Sequence, residues 1–162
     1  MTATSNLDGR HADFFRGRHV VVTGGGRGIG RAVALDFASL GAHVHVVSQS
    51  TAGKVAQEII GSGGHATAHI GSVADESFCR AVIDRIEGGG AAIGVLVNAA
   101  AVLGPSGRFT DTSMADFLNL LTVNLMGTCN FIRWALPHME EHGFGRIINF
   151  AGGGAAYAYP MR

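Results

Sequence analysis

Lysine is almost missing from this sequence: Lys54 is the one lysine in 162 residues. Cysteine is nearly as scarce, with two residues, which cannot build a disulfide-stapled scaffold. Cys79 and Cys129 both fall in helix-like stretches and are expected to be buried free thiols of a reducing compartment. Neither charge is in excess, because Lys+Arg and Asp+Glu balance at 12 each. A neutral chain has no general electrostatic pull toward nucleic acid or anionic membrane, so neither is an expected partner. No apolar run is as long as a membrane span, and the opening MTATSNLDGRHADFF lacks the apolar core of a signal peptide. These absences make a cytoplasmic protein the expectation.

Apolar residues and glycine are abundant instead. Hydrophobic residues make up 47% of the chain, too many for a disordered one. The 25 glycines follow no period of three, which excludes a collagen-like chain. They cluster at the ends of apolar runs, where a loop must turn tightly or approach a ligand.

Strand-like and helix-like runs alternate. Residues 1–16 are weakly patterned and read as a flexible arm, leaving 17–162 as one domain. HVVVT (19–23), HVHVV (43–47), HATAHI (65–70), IGVLVNA (93–99) and RIINFA (146–151) read as strands. Helical spacing through Ile29, Val33, Leu35, Phe37 and Leu40 predicts a helix over 28–40, stopped by Gly41. Further helices are predicted over 51–62, over 75–87 with Asp75 as N-cap, and over 112–142 with a break near 122. Strands apolar on both faces, alternating with helices, predict a doubly wound parallel α/β sheet in three layers.

The most informative stretch is VVVTGGGRGIG (20–30), which joins the first strand directly to the first helix. It is neither G-x-G-x-x-G nor a Walker A loop; it reads T-G-x-x-x-G-x-G, with glycines at 24, 28 and 30. A tight glycine turn brings backbone close to a pyrophosphate, and the following helix offers free N–H groups and its positive dipole end. Gly24, Gly26, Arg27, Gly28, Ile29 and Gly30 are the expected cradle.

TGGGRGIG resembles the cofactor loop of the short-chain dehydrogenase/reductases. Three further stretches carry the same resemblance: LVNAAA (96–101) is similar to L-V-N-N-A-G, TVNLMGTCNFIRWALPHM (122–139) to the V-N-L-x-G helix, and GRIINF (145–150) to the strand before the active-site serine. Order and spacing match from about residue 17 to the end but cover only the first two-thirds of a typical member. The resemblance implies a Rossmann-type oxidoreductase that moves hydride between a nicotinamide cofactor and a small alcohol or ketone. It also implies that Asn98 and Ala100 lie beside the cofactor, and that the 112–142 helical region pairs with a second subunit.

An acid at the end of the second strand would bind the adenosine ribose and repel a 2′-phosphate. Ser48 or Gln49 stands there, and Arg27 within the loop could reach such a phosphate. Both favour NADP over NAD. Ser72 and Val73 fall where the family has Asp-Val beside the adenine.

The resemblance implies a catalytic set of Asn, Ser, Tyr and Lys that works by general acid–base chemistry. Asn124 matches the asparagine. The serine position falls on Ala151 or Gly152, and no serine follows Ser113. Tyr157 and Tyr159 come too early for the tyrosine, and Lys54 cannot be the fourth residue after any tyrosine. The sequence is therefore expected to stop before Tyr-x-x-x-Lys, to be inactive as given, and to leave its fifth strand as an apolar sheet edge. A non-catalytic cofactor-binding or interaction module is the alternative. HMEEH (138–142) also fits a zinc-hydrolase pattern, but its place at a helix end favours contacts to the last carbonyls. His43/His45 and His65/His69 are read as strand-surface or strand-edge residues. Leu118, Leu121, Leu125 and Phe131 are read as packing.

Overall fold

The computed structural model describes residues 14–104 and 108–152. Five strands, β1 (His19–Thr23), β2 (His43–Ser48), β3 (His65–Ile70), β4 (Ile93–Asn98) and β5 (Arg146–Asn149), pair in the order β3-β2-β1-β4-β5, all parallel. The helices are α1 (Gly28–Ser39), α2 (Ala52–Gly61), α3 (Glu76–Gly88), α4 (Met114–Leu121) and α5 (Gly127–Glu141). The order reverses between β1 and β4, which places a crevice at the carboxyl ends of those strands.

Alternation along each strand sends residues to two cores. Val20, Val22, Val44 and Val46 pack against Ala34 and Ala38 of α1 and Val55 and Ile59 of α2. Val21, Val47 and Leu96 pack on the other face against Val82, Ile83 and Ile86 of α3 and Phe131, Ala135 and Met139 of α5. This is the predicted doubly wound, three-layer α/β architecture.

Four details depart from the sequence reading. Large residues at helical spacing in α1 do not define its buried stripe: Ile29 is 64% exposed, while Gly30, Ala34 and Ala38 are the buried ones. Small residues let the helix axis approach the sheet closely, which periodicity of bulky side chains cannot reveal. The 112–142 region does not break at 122; a π-helical segment, Thr122–Met126, joins α4 to α5. In it only Phe131 of the four apolar residues named above is fully buried, whereas Leu118 and Leu125 are 64% and 55% exposed. Finally, Cys79 is buried but Cys129 is exposed.

Of the expected arm, residues 14–16 are described; Phe15 packs on Phe37 of α1 at 5.2 Å between ring centroids, and Phe14 lies 5.6 Å from Phe144. At the other end β5 is the sheet edge among the described residues, with Ile148 and Phe150 exposed. They border an apolar groove of about 260 Å³ with Val33, Phe37 and Val97. No described helix is long and apolar enough to cross a membrane.

Candidate functional site

The glycine loop rises from the carboxyl end of β1. Gly24 sits at φ +65° and Gly28 at φ +54°, in the left-handed region where a Cβ is costly. Gly25 N–H donates to the Val47 carbonyl (3.2 Å), which ties the loop to β2. Thr23 anchors the opposite wall: its carbonyl accepts from Ala99 N–H and its hydroxyl from Ala100 N–H, each at 3.2 Å. Thr23 is a buried residue that sequence reasoning missed; its place as the last residue of β1 was the available signal.

The starts of α3 and α1 differ. In α3 the Asp75 carboxylate accepts from Ser77 N–H (2.9 Å) and Phe78 N–H (3.2 Å), closing the end with the chain's own anion. Those bonds hold the Asp75 carboxyl below the usual carboxylate range, the Ser77 side chain contributing most. In α1 the cap position is Arg27, which makes no capping bond, and the first turn carries no acid. The amides of Gly28, Ile29 and Gly30 thus lie at a positive dipole end that no acidic side chain of the first turn or cap closes.

Beside this turn lies a cleft of about 390 Å³, in the size range of small-molecule sites. Gly24, Gly26, Arg27, Ser48, Gln49, Val73 and Ala100 line it, so the structure brings most of the expected cofactor residues together. Ser72 stands just behind, accepting from the Gln49 amide at 3.3 Å. Thr51, Val102 and Val123 also line the cleft and were not foreseen. Thr51 N–H donates to Ser48 Oγ (3.1 Å), so the β2–α2 turn is held by one of the two residues, Ser48 and Gln49, that stand at the acid's position.

Asn98 is not in the cleft wall. It is buried at the end of β4, and its Nδ2 donates to Asn149 Oδ1 (3.0 Å) at the end of β5. Asn124 lies in the π-helical segment. Both ends of its amide grip one residue: Oδ1 accepts from Val102 N–H (2.8 Å) and Nδ2 donates to the Val102 carbonyl (3.0 Å). Its side chain therefore positions the loop after β4. Ala151 and Gly152 are exposed just past β5, and Tyr157 and Tyr159 lie outside the described residues.

The HMEEH stretch closes α5. His138 Nδ1 lies 3.5 Å from the Glu87 carboxylate, and His142 Nδ1 lies 2.8 Å from the His138 carbonyl. Among the described residues no three His, Cys, Asp or Glu side chains are placed to hold a metal ion. A second and larger cavity, about 650 Å³, opens at the amino ends of β1–β3, away from the glycine loop.

The short chain dehydrogenase family model matches residues 18–162. "Probable oxidoreductase EphD" of Mycobacterium tuberculosis is 36% identical over 152 residues, 93% of this chain and 26% of that protein. An NADPH-dependent aldehyde reductase-like protein of Arabidopsis thaliana is 34% identical over 146 residues, 82% of this chain and 54% of that one. A gluconate 5-dehydrogenase from Burkholderia cenocepacia, solved with NADP and tartrate, superposes with a TM-score of 0.83 at 32% identity, covering 93% of this chain and 60% of that one. A 3-oxoacyl-[acyl-carrier protein] reductase from Brucella melitensis, solved with NAD, superposes with a TM-score of 0.83 at 26% identity, covering 99% and 64%. The chain thus spans from about a quarter to under two thirds of these relatives. With the glycine loop, the parallel sheet and the cleft between them in agreement, the chain belongs to the short chain dehydrogenase family of oxidoreductases.

Proposed function

We propose that this chain forms the dinucleotide-binding portion of an oxidoreductase that uses NADP(H) in preference to NAD(H), with a small alcohol or ketone as substrate and the cytoplasm as its compartment. One observation carries the reading: an uncapped helix start at Gly28–Gly30 faces a cleft whose rim holds Arg27 and, at the end of β2, Ser48 and Gln49 in place of an acid. Arg27 is exposed at the rim, where a guanidinium would suit a 2′-phosphate, and no carboxylate at Ser48 or Gln49 would repel it. When bound, the cofactor supplies the hydride chemistry; the residues here bind and orient it.

Asn124 is present, but Ala151 and Gly152 stand where the resemblance puts the serine. The expected result is binding without turnover. NADPH should bind more tightly than NADH in a fluorescence titration, with no steady NADPH oxidation over a panel of ketones. Arg27→Leu should weaken NADPH about tenfold, ~1.4 kcal/mol, and leave NADH unchanged. Equal affinity for the two nucleotides would overturn the NADP preference, and turnover would overturn the inactivity. The exposed Ala151, in the position that would orient a substrate carbonyl, favours a second reading as a non-catalytic binding module.

We also propose a homo-oligomer through α4 and the π-helical segment. Met114, Leu118, Leu121, Leu125 and Met126 are all exposed there, more apolar surface than a lone soluble helix face needs. Light scattering at micromolar concentration should give a dimer mass or higher, and a sharp 16.7 kDa monomer would refute the contact.

A further inference from the structure

Five of the eight histidines lie on one face of three adjacent strands. Pairing sets His19, His43 and His65 side by side at the strand starts, and alternation brings His45 and His69 to the same face. The rings interact directly. His43 and His45 stack at 4.8 Å with 3° between planes, and His19 stacks on His43 at 4.8 Å. His19 Nδ1 lies 2.8 Å from His45 Nε2, and His45 Nδ1 lies 3.0 Å from His69 Nε2. His43 Nε2 lies 2.9 Å from Thr67 Oγ1. His45 is 5% exposed and His69 4%, so these two are buried and not surface positions, although His69 lies on the edge strand β3.

The chain of rings has a definite polarity. Among the described residues, His69 Nδ1 is buried and has no hydrogen-bond partner. A buried lone pair without a partner is tolerated better than a buried N–H without one. His69 Nε2–H therefore donates to His45 Nδ1, and His45 Nε2–H donates to His19 Nδ1. The arrangement needs one proton per ring. A second proton on His45 would set N–H against N–H at His69. Passing it along would leave a buried N–H at His69 Nδ1.

The surroundings supply little relief. From α3, the Arg85 charge acts unfavourably on a protonated His69 and the Glu87 carboxylate acts favourably on His19. Glu87 is shared with His138 of α5. His65 adds repulsion to His43, and Arg16 lines the cavity that His19, His43 and His65 also border.

We propose that this histidine ladder is an acid-released joint: neutral, it ties β1, β2 and β3 together, and protonation pulls them apart. The glycine loop and the β2–α2 turn follow the carboxyl ends of β1 and β2, and His69 pairs with Val47, which lines the cleft, so the ladder runs from the strand starts to the cleft floor. Burial first, then neighbouring positive charge, depresses the rings, His45 to about 3 and His69 to about 4, with His19 and His43 also lowered. The sign follows. A histidine held below its ordinary value stabilises the fold fully above about 6.5 and loses that contribution as pH falls toward the folded value. Each such ring raises the unfolding constant about tenfold per pH unit within the window.

Urea unfolding of the whole chain between pH 7.5 and 5 tests the joint without any nucleotide. From pH 6 to pH 5 the unfolding constant should rise about fiftyfold through His45 and His69 together. His45→Gln keeps a donor and an acceptor but cannot titrate, and should reduce that rise by about tenfold or more. An equal rise in parent and variant overturns the proposal. Nitrogen-edited spectra of the folded parent chain give a second arm that does not depend on the variant folding. Neutral rings at His45 and His69 at pH 5 support the joint, and titration of either near 6.5 overturns it.

Discussion

Replacing Gly30 by alanine is expected to disable the dinucleotide loop while leaving the rest of the sheet folded. A Cβ at this position would lie 2.3 Å from the Gly24 carbonyl oxygen and 2.8 Å from its carbon. Both are backbone atoms, and Gly24 is itself pinned, because its own Cα faces Ala99 and Ala100 backbone with no room for a methyl group. The loop must therefore shift as a unit. Overpacking of this kind costs about 1–3 kcal/mol in stability. On the proposed reading the nucleotide should suffer more, because displaced amides would no longer converge on a pyrophosphate; a loss of about 3 kcal/mol is roughly a hundredfold in affinity. Gly53→Ala is the matched control. It lies in α2 with nothing within 4 Å of an added Cβ, and should stabilise by about 0.5–1 kcal/mol through helix propensity alone. Thermal unfolding and an NADPH titration on both variants decide the matter. Unchanged NADPH binding by Gly30→Ala would mean that the loop does not hold the cofactor.

The largest stability loss is expected from Phe131→Ala. Phe131 is 0% exposed and sits where α5 meets α3 and the β1–β4 face of the sheet. Truncating a buried phenylalanine costs about 3–5 kcal/mol, part lost transfer energy and part unfilled cavity. Against a typical domain stability of about 5–15 kcal/mol, the variant would lose a third or more of its margin. Leu125→Ala, six residues earlier in the same helical run, is 55% exposed and should change monomer stability by no more than about 0.5 kcal/mol. Urea midpoints measured at low protein concentration separate the two. Similar losses for both would contradict the assignment of Phe131 to the core and Leu125 to the surface.

These pairs show where sequence reading stops. Hydrophobic spacing marks Leu118, Leu121, Leu125 and Phe131 alike, because they share one chemistry and one period. Which of them meets α3 depends on how the helix sits against the sheet. In α1 the close-packed stripe is Gly30, Ala34 and Ala38, and its bulky Ile29 faces outward. Small residues carry little hydrophobic signal, yet they decide how near two elements can come.

The candidate site divides in the same way. The glycine loop was legible, since Gly24 and Gly28 adopt conformations that few other residues accept, and the strand before and helix after are set by local pattern. The missing acid at the end of β2 was legible as Ser48 and Gln49. The Asn124 grip on Val102, 22 residues away, was not. Nor was the Asn98–Asn149 bond, which spans 51 residues. The histidine ladder joins three strands separated by about twenty residues each, and imidazole polarity argued against burial.

By itself, then, the amino-acid order determined the alternation of strands and helices, the parallel sheet and the glycine turn, because each rests on local periodicity or on a backbone angle that one residue type tolerates. The tertiary structure alone decided which helix face is buried, what Asn124 holds, and that His19, His45 and His69 share one chain of protons. Those depend on residues far apart in sequence meeting in space, and no local pattern encodes such a meeting.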